Sequence, residues 1–135
     1  MKTAYVLLTV LLAVLLCAGC GGKSARAVAE EYIGYMKGGD FDRASLLWDY
    51  DTDARQQNPD WDSIAQSQRK LIIGKLAQEK ASSLKMWGSY FSPETKIMEL
   101  NETGDSARAV LEGGRISSLD LTKVGENWRI SAMGQ

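Results

Sequence analysis

Apolar residues recur along this chain with two different periods, and the change between them divides it in half. From Ala25 to Met36 the apolar positions Ala25, Val28, Ala29, Tyr32, Tyr35 and Met36 fall three and four apart, with Glu30, Glu31 and Lys37 off that stripe. Such spacing predicts an amphipathic helix. Gly38-Gly39 supplies its stop, and Asp40 is a suitable N-cap for a second, shorter helix with the face Phe41, Ala44, Leu47 and Trp48. Asp49 to Asp60 reads as polar and irregular. Asp62 or Ser63 then caps a third helix that carries Ile64, Leu71, Ile72 and Leu76 and runs to about Leu84, with Met86 and Trp87 near its exit.

Beyond Pro93 the period falls to two. Lys96 to Leu100, Ala107 to Glu112, Ser117 to Val124 and Trp128 to Ala132 read as strands. Turn-rich Asn101 to Asp105, Gly113-Gly114 and Gly125-Glu126-Asn127 separate them. Leu119 and Leu121, and Trp128, Ile130 and Ala132, alternate, so each strand offers one apolar face. Helices first and an antiparallel meander afterwards predict an α+β domain, its N-terminal helices packed on one side of a curved antiparallel sheet.

Ahead of these elements stands a different kind of segment. Lys2 and the free amino terminus precede an apolar run from Ala4 to Leu16, broken only by Thr9, and then Cys17-Ala18-Gly19-Cys20. Charge, apolar run and small residues together are the export pattern. The run is about half to two-thirds of the ~20 residues that cross a bilayer core, so a cleaved leader is favoured over a membrane-spanning helix. Leu16, Ala18, Gly19 and Cys20 resemble in kind the lipobox of bacterial lipoproteins, with Cys17 standing where leucine is usual. The resemblance implies lipidation of Cys20, cleavage before it and attachment to a membrane by the lipid. Because Gly21, not Asp, follows the cysteine, it also implies the outer membrane if the source has one. Ordinary signal-peptidase cleavage at Ala25-Arg26-Ala27 fits poorly, since the site lies well beyond the apolar run and contains an arginine. The expected organisation is therefore a signal peptide over 1–19, a lipidated cysteine and tether over 20–24 and a folded domain over 25–135.

Composition narrows the function classes. The chain has 135 residues, so 116 remain after cleavage, enough for one domain that buries roughly two-thirds of its unfolded surface. Cleavage removes Lys2 alone from the 16 Lys and Arg, leaving 15 against 17 Asp and Glu, all interspersed. Nucleic acid, which selects clustered basic surface, is not an expected partner. The two cysteines are Cys17 and Cys20, both in the leader region, and their C-x-x-C spacing lacks the folded setting that redox or zinc chemistry requires. Gly22-Lys23-Ser24 has the look of a phosphate-loop ending, but Cys17 stands where that loop needs glycine, and the reading is a tether. Asp49, Asp51 and Asp53, with Asp60 at the twelfth position, imitate calcium-loop spacing, yet Ala54 replaces the required glycine and Gln56 an apolar residue. They read as a solvated acidic loop. Neither metal nor cofactor is expected.

The order of elements, Ala29-Glu30-Glu31-Tyr32-Ile33 with Gly39-Asp40-Phe41-Asp42-Arg43-Ala44, and the closing Leu119 to Ile130 hairpin resemble the nuclear transport factor 2-like (cystatin-like) superfamily, particularly its small lipoproteins. The resemblance implies a cone in which a curved sheet wraps a helix and often leaves a pocket. Candidate lining residues are Tyr32, Tyr35, Trp48 and Trp128, with core filling as the competing role for all four. The implied function is a non-catalytic, membrane-anchored module that binds a small apolar ligand or an envelope protein. The alternative is a small hydrolyase or isomerase with an Asp or Glu base and a Tyr donor. The chain has no histidine, which excludes histidine-based acid–base and nucleophilic schemes.

Overall fold

A computed structural model describes residues 22–135. The expected leader and Cys20 lie outside the described residues. Helix α1 spans Ala25–Gly38. Ser24 opens it by accepting the Ala27 N–H at 3.1 Å, so the last residue of the expected tether is in fact the helix cap. Gly39 closes it at φ 72°, a left-handed conformation that glycine adopts without strain. Asp40 then accepts the Arg43 N–H at 3.2 Å and caps α2, Phe41–Ser45.

α2 ends earlier than its apolar spacing suggests. Leu47 and Trp48 leave the helix because the backbone there pairs with the last strand: Ile130 N donates to Leu47 O at 2.7 Å and Asp49 N to Ile130 O at 2.9 Å. The supposedly irregular stretch that follows contains helix α3, Asp51–Gln57. Its only buried residue is Ala54, so it shows no apolar stripe. A 3₁₀ turn at Trp61–Ser63 buries Trp61, and α4 spans Gln66–Trp87. The helix thus starts after the expected cap and leaves Ile64 outside. Leu71 is 76% exposed instead of buried, and the buried seam is Ala77, Ala81 and Leu84. A second 3₁₀ turn, Gly88–Tyr90, leads to the sheet.

Strands β1 (Lys96–Thr103), β2 (Ser106–Glu112), β3 (Ser118–Val124) and β4 (Asn127–Gly134) form an antiparallel meander in chain order. β1 continues through Thr103, making the first turn Gly104-Asp105. Register shifts between Ile97 and Glu99, and between Asp120 and Leu121 against β4, are bulges that bend their strands. The molecule is α+β, with helices packed on one face of this curved sheet. α1 lies against all four strands, and α4 rests mainly on α2.

The main core lies between α1 and the sheet. α1 contributes Val28, Ala29, Tyr32, Ile33 and Met36, and the strands contribute Ala109, Leu111, Leu119, Leu121 and Ile130 from alternate positions. Ile33, not Tyr35, completes the helix face. All the described members of this core fall between Ala25 and Met133, so a chain beginning at Gly22 contains them all.

Candidate functional site

Three adjoining concavities follow β4 and share Trp48 as a wall. Near the β3–β4 turn, a space of about 350 Å³ is bounded by Leu46, Ile73, Val124, Asn127 and Arg129. A narrower one of about 220 Å³ follows, with Asp49, Tyr50, Thr52, Asp53, Lys80 and Ser131. The third, about 380 Å³, lies between α4 and the end of β4 and is lined by Trp48, Lys80, Ser83, Trp87, Ile116, Met133 and Gln135. Together they make a trough whose third section is mostly apolar, with one cation and no carboxylate side chain among its lining residues.

Trp48 is held from three directions. Its backbone is fixed by the bridge to Ile130. Its indole N–H donates to the Tyr32 hydroxyl at 3.3 Å, and that hydroxyl donates in turn to Met133 Sδ at 3.2 Å. Tyr32 is fully buried and meets Trp48 edge-on at 6.2 Å between ring centroids. Burial holds the Tyr32 hydroxyl proton well above the usual tyrosine range. The Lys80 ammonium lies 4.0 Å from the centre of the Trp48 ring. Among the described residues no carboxylate is within ion-pair distance of it. A cation over an indole face retains attraction for an anion on its other side.

The four aromatic residues marked in the sequence separate here. Trp48 lines all three sections and Tyr32 lies beneath it as a hydrogen-bonded support. Tyr35 is on the outer side of α1, where its hydroxyl donates to Glu31 at 3.0 Å and Lys23 pairs with the same carboxylate at 2.7 Å. The Lys23 hydrogen bond holds the Glu31 carboxyl below its usual range, and the hydrogen bond to Glu31 raises Tyr35. Trp128 is buried in the core opposite Lys123. Sequence reasoning missed Lys80 on α4, since a lysine in a helix shows nothing of what it will lie against.

The acidic run is engaged elsewhere. Asp49 accepts from the Thr52 N–H at 3.2 Å and its hydroxyl at 2.5 Å, tying down the start of α3. Asp51 accepts from Arg55 at 2.7 Å, and the same guanidinium reaches Asp62 at 2.8 Å, which holds the Asp62 carboxyl down. No cluster of potential metal ligands occurs among the described residues. Tyr50, the tyrosine nearest these carboxylates, donates its hydroxyl to Ser45 O at 2.5 Å and is pushed up to about 12 by burial.

A larger concavity, about 610 Å³, lies on the outer face of the sheet among Asn101, Thr103, Arg108, Asp120 and Thr122. It is more open than the trough, and its one charged pair is already closed, Arg108 donating to Asp120 at 2.7 and 3.1 Å. The third section of the trough, with a mostly apolar wall and a cation that has no described carboxylate within ion-pair distance, has the more specific chemistry. No described helix is long and apolar enough to cross a membrane. No protein-family model, curated protein or solved structure matches the chain.

Proposed function

We propose that the chain is a bacterial lipoprotein, anchored through Cys20, whose nuclear transport factor 2-like domain binds an apolar, anionic small ligand in the β4 trough without transforming it. The observation that carries this reading is Lys80 lying over Trp48 beside a mostly apolar section of about 380 Å³ whose lining side chains include no carboxylate. Trp87, Ile116 and Met133 supply the wall for an apolar body, while Lys80, Ser83 and Gln135 offer hydrogen-bond donors to a negatively charged head.

Binding without chemistry is supported by how the neighbouring ionisable groups are used. Tyr32 and Tyr50 have hydroxyls committed to internal acceptors and proton affinities raised by burial. Asp49 is occupied by Thr52. Neither tyrosine is poised near neutrality as a general acid or base.

Calorimetry on residues 22–135 tests the reading with decanoate, 1-decanol and decyltrimethylammonium as probes. Decanoate is expected to bind most tightly. Lys80→Met keeps the apolar stem and removes the charge, and should weaken decanoate about tenfold with little change for 1-decanol, a charged hydrogen bond being worth ~1.5–3 kcal/mol. Trp48→Ala should weaken all three. Equal decanoate binding by wild type, Lys80→Met and Trp48→Ala would sink the proposal.

A further inference from the structure

The described chain begins pressed against the β3–β4 turn. A Cβ placed on Gly22 would lie 2.5 Å from the Glu126 carbonyl oxygen and 3.1 Å from the Asn127 side-chain oxygen. The approach is one that only a residue without a side chain makes unaltered. Ser24 already caps α1, so the chain passes from this contact into the helix with no loop between. In the other direction Cys20 is two positions before Gly22, within about 7 Å of it even in fully extended backbone.

α1 runs from that contact to the opposite end of the domain. In its last turn Lys37 donates to Pro93 O at 3.1 Å, beside the start of β1. The helix has 14 residues, a length of about 21 Å. The meander gives the two ends different turns: Gly104-Asp105 and Gly125-Glu126 at one end, and the 113–117 connection at the other. Lys123 N donates to Asp105 O at 2.8 Å, which brings the first two turns together. One end therefore holds both turns and the residue next to the expected anchor.

We propose that the β3–β4 end of the domain is its membrane-facing surface, held against the lipid by a tether too short to let the domain turn over. The inference rests on lipidation of Cys20. It receives support from side chains unrelated to the tether. Leu46, 62% exposed, has its carbonyl bound to Arg129 next to this end. Val124 and Ile73 lie half-buried beside it. The charges here are of both signs, with Lys123 and Arg129 near Asp105 and Glu126. The orientation is thus imposed by the leash and apolar contact, not by a charged surface.

The test uses the processed, lipidated chain in vesicles of phosphatidylethanolamine and phosphatidylglycerol. Both native cysteines lie at or before position 20, so a single introduced cysteine can be labelled specifically once Cys20 is acylated. A fluorophore at Glu126→Cys should be quenched by headgroup-spin-labelled lipid at least threefold more than one at Glu94→Cys. Inserting 15 Gly/Ser residues between Gly21 and Gly22 should bring the two values within a factor of 1.5. Equal quenching at both sites in the unextended, vesicle-bound protein overturns the proposed orientation, and a preference that survives the insertion overturns the tether as its cause. Protein that fails to float with the vesicles overturns instead the anchoring on which the inference rests.

Discussion

The two long helices of this domain make opposite use of their length. α1 has 14 residues and buries six of them, including Tyr32, Ile33 and Met36, across all four strands. α4 has 22 and buries three, of which two are alanines. Ala77, Ala81 and Leu84 make a narrow seam at intervals of four and three residues, enough to lie on α2 but not to cover the sheet. Helix length is therefore a poor guide to how firmly a helix is seated; what matters is the width of its apolar stripe and the size of the side chains in it. The freedom this leaves α4 is where the candidate site lies, since Lys80, Ser83 and Trp87 come from the helix with fewer core obligations.

The difference can be broken at four points. Tyr32→Ala, which removes a fully buried ring from α1, should destabilise the domain by ~3–5 kcal/mol in urea unfolding. Leu84→Ala, the largest buried side chain in α4, should cost ~2–4 kcal/mol by the same measurement; a loss equal to that of Tyr32→Ala would mean that α4 is as deeply seated as α1. Tyr32→Phe keeps the ring but deprives the Trp48 N–H of its acceptor and should cost ~1–2 kcal/mol. Leu71→Ala, on the exposed part of α4, should stay within ~0.5 kcal/mol of wild type, and a loss above ~1.5 kcal/mol would show that the N-terminal half of α4 is packed.

The alkaline limb of stability sharpens the same contrast. Tyr32 and Tyr50 both have folded pKa values raised above the ordinary 10.0, chiefly by burial. Below pH 10 both states keep these protons, so the stability they allow is fully present. As pH rises above 10 the unfolded chain ionises first, and stability falls until the folded pKa is reached, about 12 for Tyr50. Tyr32→Phe should flatten this decline, measured as the urea midpoint between pH 9 and pH 11. An unchanged slope would place the alkaline sensitivity elsewhere.

How much of this could be read from the sequence depended on whether the determining contact was local. α1 with its stops, and the four strands with their glycine turns, follow from alternation and spacing within a few residues. α3 was not legible because Ala54 alone faces inward, and a helix with one small buried residue leaves no period to detect. Trp48 sits on a perfect helical spacing with Phe41 and Ala44 yet belongs to an extended bridge, since its partner, Ile130, is far along the chain. The candidate site divides in the same way. Trp48 stood out as a large aromatic, whereas Lys80 acquires its meaning only when the packing of α4 brings it over that ring.

The trough along β4 has a further consequence once its direction is considered. It begins beside Asn127, at the end proposed to face the bilayer, and finishes at Gln135, a path of roughly 30 Å for a strand of this length. A ligand entering from the membrane would leave one hydrocarbon environment for another. The hydrophobic gain that dominates binding from water would then largely cancel, since lipid tails are as apolar as Trp87, Ile116 and Met133. What remains to favour the protein over the bilayer is the contact with Lys80. Affinity measured in buffer would therefore rank ligands by chain length, while occupancy at the membrane would rank them by the charge of the head group.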